Sequence, residues 1–595
     1  MRRTTARCIK FFSSCLYFMV PKITPTTPHR LLLDMVYHNP GDIPFVTRFS
    51  NPGELASLGY TGQVCKNLNT ALDFDTILPG LFPANSAERE WLDEQAKAKD
   101  AELQAAMRAG IEILYHTDLF VLPKLVVEKL RGEICDPVTG RIDALRPRTM
   151  ELHRELLAAL FARYPGIGGL MIRVGETYLF DTPHHAGNTA VPLHDPAVGR
   201  EAQIERFVAL LQFLREEICV RHNKKLIHRT WDYFTDRFHA DPEFYLAVTD
   251  AIEPHPHLIF SIKHTGSDFF RASHANKCLG IGRHPQIVEV QCQREYEGKG
   301  AIPCYIARGV VDGFDEHPQK TGLRHWSATP QYAGLFTWTR GGGWFGPYLR
   351  DEFWPELNAR VLAAWHASPD TDEATLFEQV CANAYGLDSQ SQSALRELSI
   401  LSEDVILHGR YCLAAAEIEG FRYEATNLWM RDDRLGGIGQ LADTFAALEA
   451  SGRLDEAVEE KRHAAELAAR MPGIAAGITF ADPARTAFVR WSAEYAANLF
   501  AWVAEGWQIM VARWRSGMGN PMTSPPDLAS YEAARARVLE MTSAPNAWAT
   551  GFTGEYWNWP GMPPTSGMDD AVANPWTPPN TSAEREDWQP QKAKP

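Results

Sequence analysis

Between residues 31 and 340 the chain alternates two hydrophobic patterns, short runs rich in Leu, Ile, Val and aromatic residues, and longer stretches with apolar residues three and four positions apart. The first pattern is that of strands and the second that of helices with one buried stripe. Eight runs qualify as strands: Leu31 to Tyr37, Tyr60 to Cys65, Ile111 to Thr117, Gly169 to Val174, Lys225 to Trp231, Leu258 to His264, Ile287 to Glu295 and Gly334 to Thr339. Eight strands separated by helices is the number that closes a (β/α)8 TIM barrel. The helices carry their own signals. Ser86 opens one that stops near Gly110, and a second bears Leu152, Leu156, Leu157, Leu160 and Phe161 before Tyr164-Pro165-Gly166. A third places Ile204, Phe207, Val208, Leu211, Leu214 and Ile218 on one stripe. After Gly341-Gly342-Gly343 the pattern is helical only, from about Leu349 to Arg537. The expected organisation is therefore an α/β barrel over 31–345, an all-α C-terminal domain over 346–541, an N-terminal extension over 1–30 and a Pro- and Trp-rich tail over 542–595 whose end is disordered in composition.

Parity along the strands selects the residues that face the lumen. In the seventh run Val288, Val290 and Cys292 share one face, and Glu289, Gln291, Gln293 and Glu295 share the other. The outer face of a parallel barrel packs on helices, so the polar face is expected inside, and Glu295 becomes a candidate catalytic carboxylate. The fourth run sends Leu170, Ile172 and Val174 outward and leaves Met171 and Arg173 inward; the sixth sends Leu258, Phe260 and Ile262 outward and leaves Ser261 and Lys263 inward. Arg229 lies near the end of the fifth. Three basic residues thus converge on the carboxyl-terminal mouth, where such barrels do their chemistry. They are either structural ion-pair partners of Glu289 or Glu295, or a receptor for a ligand anion, since an uncompensated buried cluster is unfavourable.

Two more acids follow strand ends, Glu176 in Arg173-Val-Gly-Glu-Thr and Asp268 in Lys263-His-Thr-Gly-Ser-Asp. With Tyr178, Trp231 and Trp338 nearby, three carboxylates fit a carbohydrate site, because aromatic faces stack on sugar rings and paired carboxylates hydrolyse glycosidic bonds. His116 and Asp118, inward at the end of the third strand, suit contacts to sugar hydroxyls; His38 and Asn39 after the first strand and Arg340 after the eighth are similar. His184, His185, His194 and Asp195 lack metal-ligand spacing, and no metal or other cofactor is expected.

Composition narrows the partners. The chain has 595 residues and a formal net charge of -15, which argues against nucleic acid or an anionic membrane. Ten cysteines without CxxC pairing read as mostly free thiols in a reducing compartment. Near the start, Arg2 and Arg3 precede an apolar run from Phe11 to Val20 that has the look of a short signal core, interrupted by Lys10, without a small-x-small cleavage motif, and too short to span a bilayer.

The blocks Gly168-Gly-Leu-Met-Ile-Arg-Val-Gly-Glu176, His228-Arg-Thr-Trp231, Ile262-Lys-His-Thr-Gly-Ser-Asp268 and Gln291-Cys-Gln-Arg-Glu-Tyr-Glu-Gly298 resemble, in content and order, the active-site strands of glycoside hydrolase family 67, the α-glucuronidases. Phe353-Trp-Pro-Glu-Leu-Asn358 resembles the start of that family's C-terminal domain. The resemblance covers about residues 165 to 400, lacks the family's N-terminal β-sandwich, and has arginine at 173 where the family has lysine. It implies an exo-acting, inverting hydrolase that removes glucuronic acid or its 4-O-methyl form from xylan-derived oligosaccharides. Glu176 would be the general acid, Asp268 or Glu295 the base, and Arg173, Arg229 and Lys263 the holders of the uronate carboxylate, with Trp231 and His116 contacting the sugar. It further implies a cytoplasmic enzyme, with export the alternative; a homodimer remains open. A non-hydrolytic sugar-acid-binding barrel and a metal-dependent sugar-acid isomerase or lyase are the other readings.

Overall fold

All eight expected runs form strands, and they close into a parallel barrel in chain order: β1 (Leu31–Tyr37), β2 (Gly62–Lys66), β3 (Glu112–Asp118), β4 (Gly169–Arg173), β5 (Lys225–Arg229), β6 (Leu258–Lys263), β7 (Gln286–Gln291) and β8 (Tyr332–Gly341), with β8 pairing back on β1. The computed structural model describes residues 30–550 and 572, apart from 39–44, 176, 178, 180–181, 192–197, 233–235, 318, 343–347, 420–429, 432–433, 436–437, 518–527 and 546.

The two faces of each strand pack as parity requires. Val64, Leu114, Met171, Ile227, Ile259, Ile287 and Phe336 form one layer inside the barrel. Leu170, Ile172, Leu226, Ile262, Val288 and Val290 instead join the larger core beneath the helices, with Leu156, Leu160, Phe207 and Leu211. Helix α1 (Ala87–Ala109) begins where Ser86 accepts a hydrogen bond from Arg89 N and ends at Gly110, whose φ of 72° is the left-handed cap that favours glycine. Helix α2 (Pro147–Arg163) matches the second expected helix. The third, α3 (Arg200–Leu214), runs into a π-helical segment, Arg215–Arg221, which is how its apolar stripe reaches Ile218.

One boundary differs in a way that matters. Alternation carried the seventh run to Glu295, but β7 ends at Gln291, and Arg294 takes a left-handed φ of 57°. Glu295 is therefore placed by a turn and not by strand parity, and the acid that the pleat points inward is Glu289.

Beyond β8 the described residues are almost wholly helical, led by α4 (Phe353–Ala367) and α5 (Ser389–Arg410), with the two-residue strands Tyr348–Leu349 and Ala549–Thr550 pairing antiparallel. From Leu31 onward the chain forms one compact unit. Hydrogen bonds cross the expected boundary at 345: Asn358 Nδ2 donates to the carbonyls of Cys292 (3.2 Å) and Cys304 (3.0 Å), and its Oδ1 accepts from Ile306 N at 3.0 Å.

The seam where β8 meets β1 holds a buried acid. Asp34 faces away from the lumen with no solvent exposure and accepts from Thr337 Oγ1 (2.6 Å), Thr339 N (3.1 Å) and Thr339 Oγ1 (2.7 Å). Burial raises its carboxyl to about 7 despite these hydrogen bonds, which act in the opposite direction. The folded protein therefore binds a proton that the unfolded chain, with a pKa of 3.8, has lost, so stability falls as pH rises from about 4 to about 7 and the loss is complete above that. Three units correspond to a penalty on the order of 4 kcal/mol. Asp34→Asn is expected to melt higher relative to the wild type at pH 8 than at pH 5, as calorimetry at the two pH values would show.

Candidate active site

The strand ends bring the charged residues to the carboxyl-terminal mouth in pairs. Arg229, at the end of β5, grips Glu289 of β7 with a two-pronged contact, Nε to Oε2 at 3.0 Å and Nη2 to Oε1 at 2.6 Å, and Ser261 Oγ adds 3.0 Å to Oε2. Both ions are 1% exposed. Arg173, in register with Asp118 on β3, donates through Nε to Asp118 Oδ1 at 3.2 Å. Lys263 contacts Asp268 Oδ1, five residues further along the loop after β6. Each member of the basic trio thus faces a carboxylate of the protein. The inference that the cluster needs an outside anion to balance its charge accordingly loses its premise at these positions, and Arg229 with Glu289 is the structural pair that the sequence left open.

Asp268 is held by three donors. Besides Lys263, it accepts from Phe269 N (3.0 Å) on Oδ1 and from the Tyr296 hydroxyl (2.5 Å) on Oδ2. Burial alone would push its carboxyl up, but the Lys263 charge and these hydrogen bonds outweigh that and hold it below the usual carboxylate range. It keeps 19% of its side-chain exposure, so water reaches an ionised group. Aromatic rings brace the pair: the Lys263 ammonium sits 3.5 Å from the Trp231 ring centre and 4.5 Å from that of Phe269, and Tyr296 stacks on Phe270 at 4.1 Å.

Glu295 reaches the same mouth by the turn at Arg294. Its backbone N donates to Gln291 Oε1 at 2.8 Å, and its side chain packs against Gly342. A β-carbon at Gly342 would lie 2.4 Å from Glu295 Oε2 and 2.2 Å from Gln291 Nε2, and φ there is +77°, so both space and backbone require glycine. The second glycine of the triplet that marked the end of the barrel in the sequence thus fixes where this carboxylate rests.

His116 is buried inward on β3, and its imidazole is held well below its ordinary pKa by burial and by Arg173, Arg229 and Lys66. Trp231 and Trp338 are both buried at the mouth. Trp338 lies 5.3 Å from the Tyr37 ring, and Arg229 is 4.8 Å from the Trp338 ring centre. His38 is lowered to about 4 by burial, then Lys66, Arg340 and Lys299. Glu176, Tyr178, Asn39, His194 and Asp195 lie outside the described residues. The His185 ring lies 5.3 Å from that of Trp91, tilted by 56°, and among the described residues no group of three His, Cys, Asp or Glu side chains is disposed to hold a metal. None of the eight cysteines among the described residues is disulphide-bonded.

Sequence reasoning overlooked Lys66 and Tyr37. Lys66 stands one residue past the expected end of β2, in register with His116, donates to the His38 carbonyl and lies 3.1 Å from the centre of the Tyr37 ring. Parity from Val64 and Met35 would have placed both inward.

The sequence matches no family model and no curated protein. Among solved structures, the chain resembles a GH138 enzyme targeting pectin rhamnogalacturonan II, with a TM-score of 0.50 at 10% identity over 86% of this chain. It spans 62% of that enzyme's length. Further matches include CpGH84D (TM-score 0.38, 8% identity, 91% of this chain and 73% of that one) and a chitobiase of Flavobacterium johnsoniae (TM-score 0.32, 13% identity, 88% and 76%). The likeness establishes the barrel fold.

Because Arg229 and Glu289 are both desolvated, removing one charge strands the other. Glu289→Gln is expected to destabilise the protein by about 3–5 kcal/mol in urea unfolding.

Proposed function

We propose that this protein is an exo-acting glycoside hydrolase that removes a terminal uronic acid from an acidic plant-type oligosaccharide by a single displacement with inversion. The observation that carries the reading is Asp268: an ionised, water-accessible carboxylate held by Lys263, Tyr296 and a backbone N–H at the mouth of a parallel barrel, beside the Trp231 ring. Such an acid accepts a proton and does not supply one, which suits it to the base side of the reaction. Glu295, seated against Gly342, is the second carboxylate at that mouth and the rival for the same role. Glu176 takes the general acid's place by its motif, and the geometry of inversion asks for about 6.5–9.5 Å between acid and base.

The substrate class has two supports. Arg173, Arg229 and Lys66 all bear on His116, a positive setting that suits an acidic sugar, and the resemblance to family 67 points to uronosides. The structural likeness to an enzyme that targets pectin rhamnogalacturonan II makes pectic uronosides as worthy of trial as glucuronoxylan fragments.

Incubation with uronic-acid-capped xylo-oligosaccharides and with rhamnogalacturonan II fragments, following free uronate and its anomeric form by NMR, is expected to show release with inverted configuration. No release from either substrate refutes the assignment, and full activity of Glu176→Gln refutes the acid. Gly342→Ala should lower kcat about 100-fold, because it displaces Glu295 by roughly an ångström. Lys263→Met removes the charge that keeps Asp268 ionised, so its carboxyl rises and the acidic limb of the kcat profile moves to higher pH; Tyr296→Phe should move it the same way by less. An unmoved limb in both variants would leave Glu295 as the base.

A further inference from the structure

Three buried polar atoms on the floor of the mouth have no hydrogen-bond partner among the described residues: Arg229 Nη1, His116 Nε2 and Trp338 Nε1. Their side chains are 1%, 3% and 6% exposed and lie on β5, β3 and β8 at positions that face the lumen. They are neighbours, since Arg229 lies 4.8 Å from the Trp338 ring centre, and the Tyr37 ring stands 5.3 Å from Trp338 and 6.4 Å from His116. Buried polar atoms are almost always paired, and each one left alone is costly. Three together on one floor point to a ligand group that completes them.

The chemistry of that group follows from what the floor lacks. Indole and guanidinium nitrogens only donate, and His116 Nε2 donates in the tautomer that carries its proton there. Glu289, the acid paired with Arg229, already spends both oxygens on Arg229 and Ser261. A sugar hydroxyl would bring a proton for which the indole and guanidinium nitrogens offer no acceptor, whereas a carboxylate brings only acceptors and, with the His116 proton on Nε2, pairs all three. Lys66, in register with His116 on the adjacent strand, contributes positive field, while Glu289 has already balanced Arg229.

We infer that Arg229 Nη1, His116 Nε2 and Trp338 Nε1 form the seat of the substrate's carboxylate, a donor-only floor on which a terminal sugar acid stands with its acid group inward and its anomeric carbon toward Asp268. Arg173 and Lys263, each engaged with a carboxylate of the protein, serve the geometry of the mouth. This assignment rests on the uronoside reading above, and binding separates the two.

The test measures binding of free D-glucuronate, D-galacturonate and D-glucose by calorimetry to the wild type, Trp338→Phe, His116→Phe and the surface control Lys277→Ala. Both aromatic replacements keep a ring in place, and their melting temperatures establish that they fold; if one does not, the other decides. The expected result is binding of a uronate in preference to glucose, weakened at least about tenfold in each floor variant, the effect of one hydrogen bond to a charged group, and unchanged in Lys277→Ala. Uronate binding that both floor variants retain at wild-type strength, or a wild type that binds no uronate, overturns the seat. Uronate binding without release of uronate from any oligosaccharide overturns the hydrolase reading and leaves the seat standing. Release of uronate with wild-type KM in both floor variants does the reverse.

Discussion

The placement of the site depends on a buried ion pair three residues apart in sequence. Arg294, in a left-handed conformation at φ 57°, turns the chain after β7 and directs its guanidinium onto Glu297, with Nε to Oε2 and Nη2 to Oε1 both at 2.7 Å and neither side chain exposed. A non-glycine residue with positive φ stores strain and persists only where the surroundings over-determine it. Here they do: Glu297 also accepts from the Tyr411 hydroxyl (2.7 Å) and from Arg271 N (2.7 Å), so its full complement of neighbours offsets the desolvation of both charges. The two residues between the partners are Glu295 and Tyr296. One pair thus orients a carboxylate and the phenol that binds Asp268.

That pair also explains why the helical region is inseparable from the barrel's chemistry. Tyr411 directly follows α5, and Arg271, in the loop after β6, reaches Glu316 at 2.7 Å and Glu403 of α5 at 3.5 Å. The loops after β6 and β7, which carry Asp268 and Glu295, are consequently tied to each other and to α5 through charged groups that water does not screen. Loops on a barrel rim are ordinarily its most mobile parts. These two are clamped from outside, the arrangement needed when two carboxylates must keep a fixed separation.

The strands were legible because their apolar runs are bounded and their outer faces follow period two; β1 was read to the residue, and inward placement of Arg173 and Lys263 followed from parity alone. The limits of that reasoning are equally specific. Parity holds only while the strand lasts, and nothing in Gln291-Cys-Gln-Arg-Glu announces that arginine will adopt a conformation that glycine prefers. Charge balance was illegible for another reason: Asp118 pairs with a residue 55 positions later, and Glu289 with one 60 positions earlier. Counting basic residues on strand ends therefore overstated the free positive charge, because the counter-ions come from elsewhere in the barrel: Asp118 from the neighbouring strand in register, Glu289 from the strand on the far side of β6, and Asp268 from the loop after β6.

The layering of the lumen gives the site its depth. The apolar ring of Leu114, Met171, Ile227, Ile259, Ile287 and Phe336 blocks the barrel's axis, and the next inward position on those strands, two residues on, supplies His116, Arg173, Arg229, Ser261, Glu289 and Trp338. Two residues of strand advance about 6.6 Å, and Asp268 and Glu295 lie on loops beyond. The apolar layer thus lies one inward step below the polar residues, and the acids of the loops lie above both. Under the reading proposed above, an apolar layer beneath the site favours a chain terminus over a chain that passes through, and the donors on the floor select among termini.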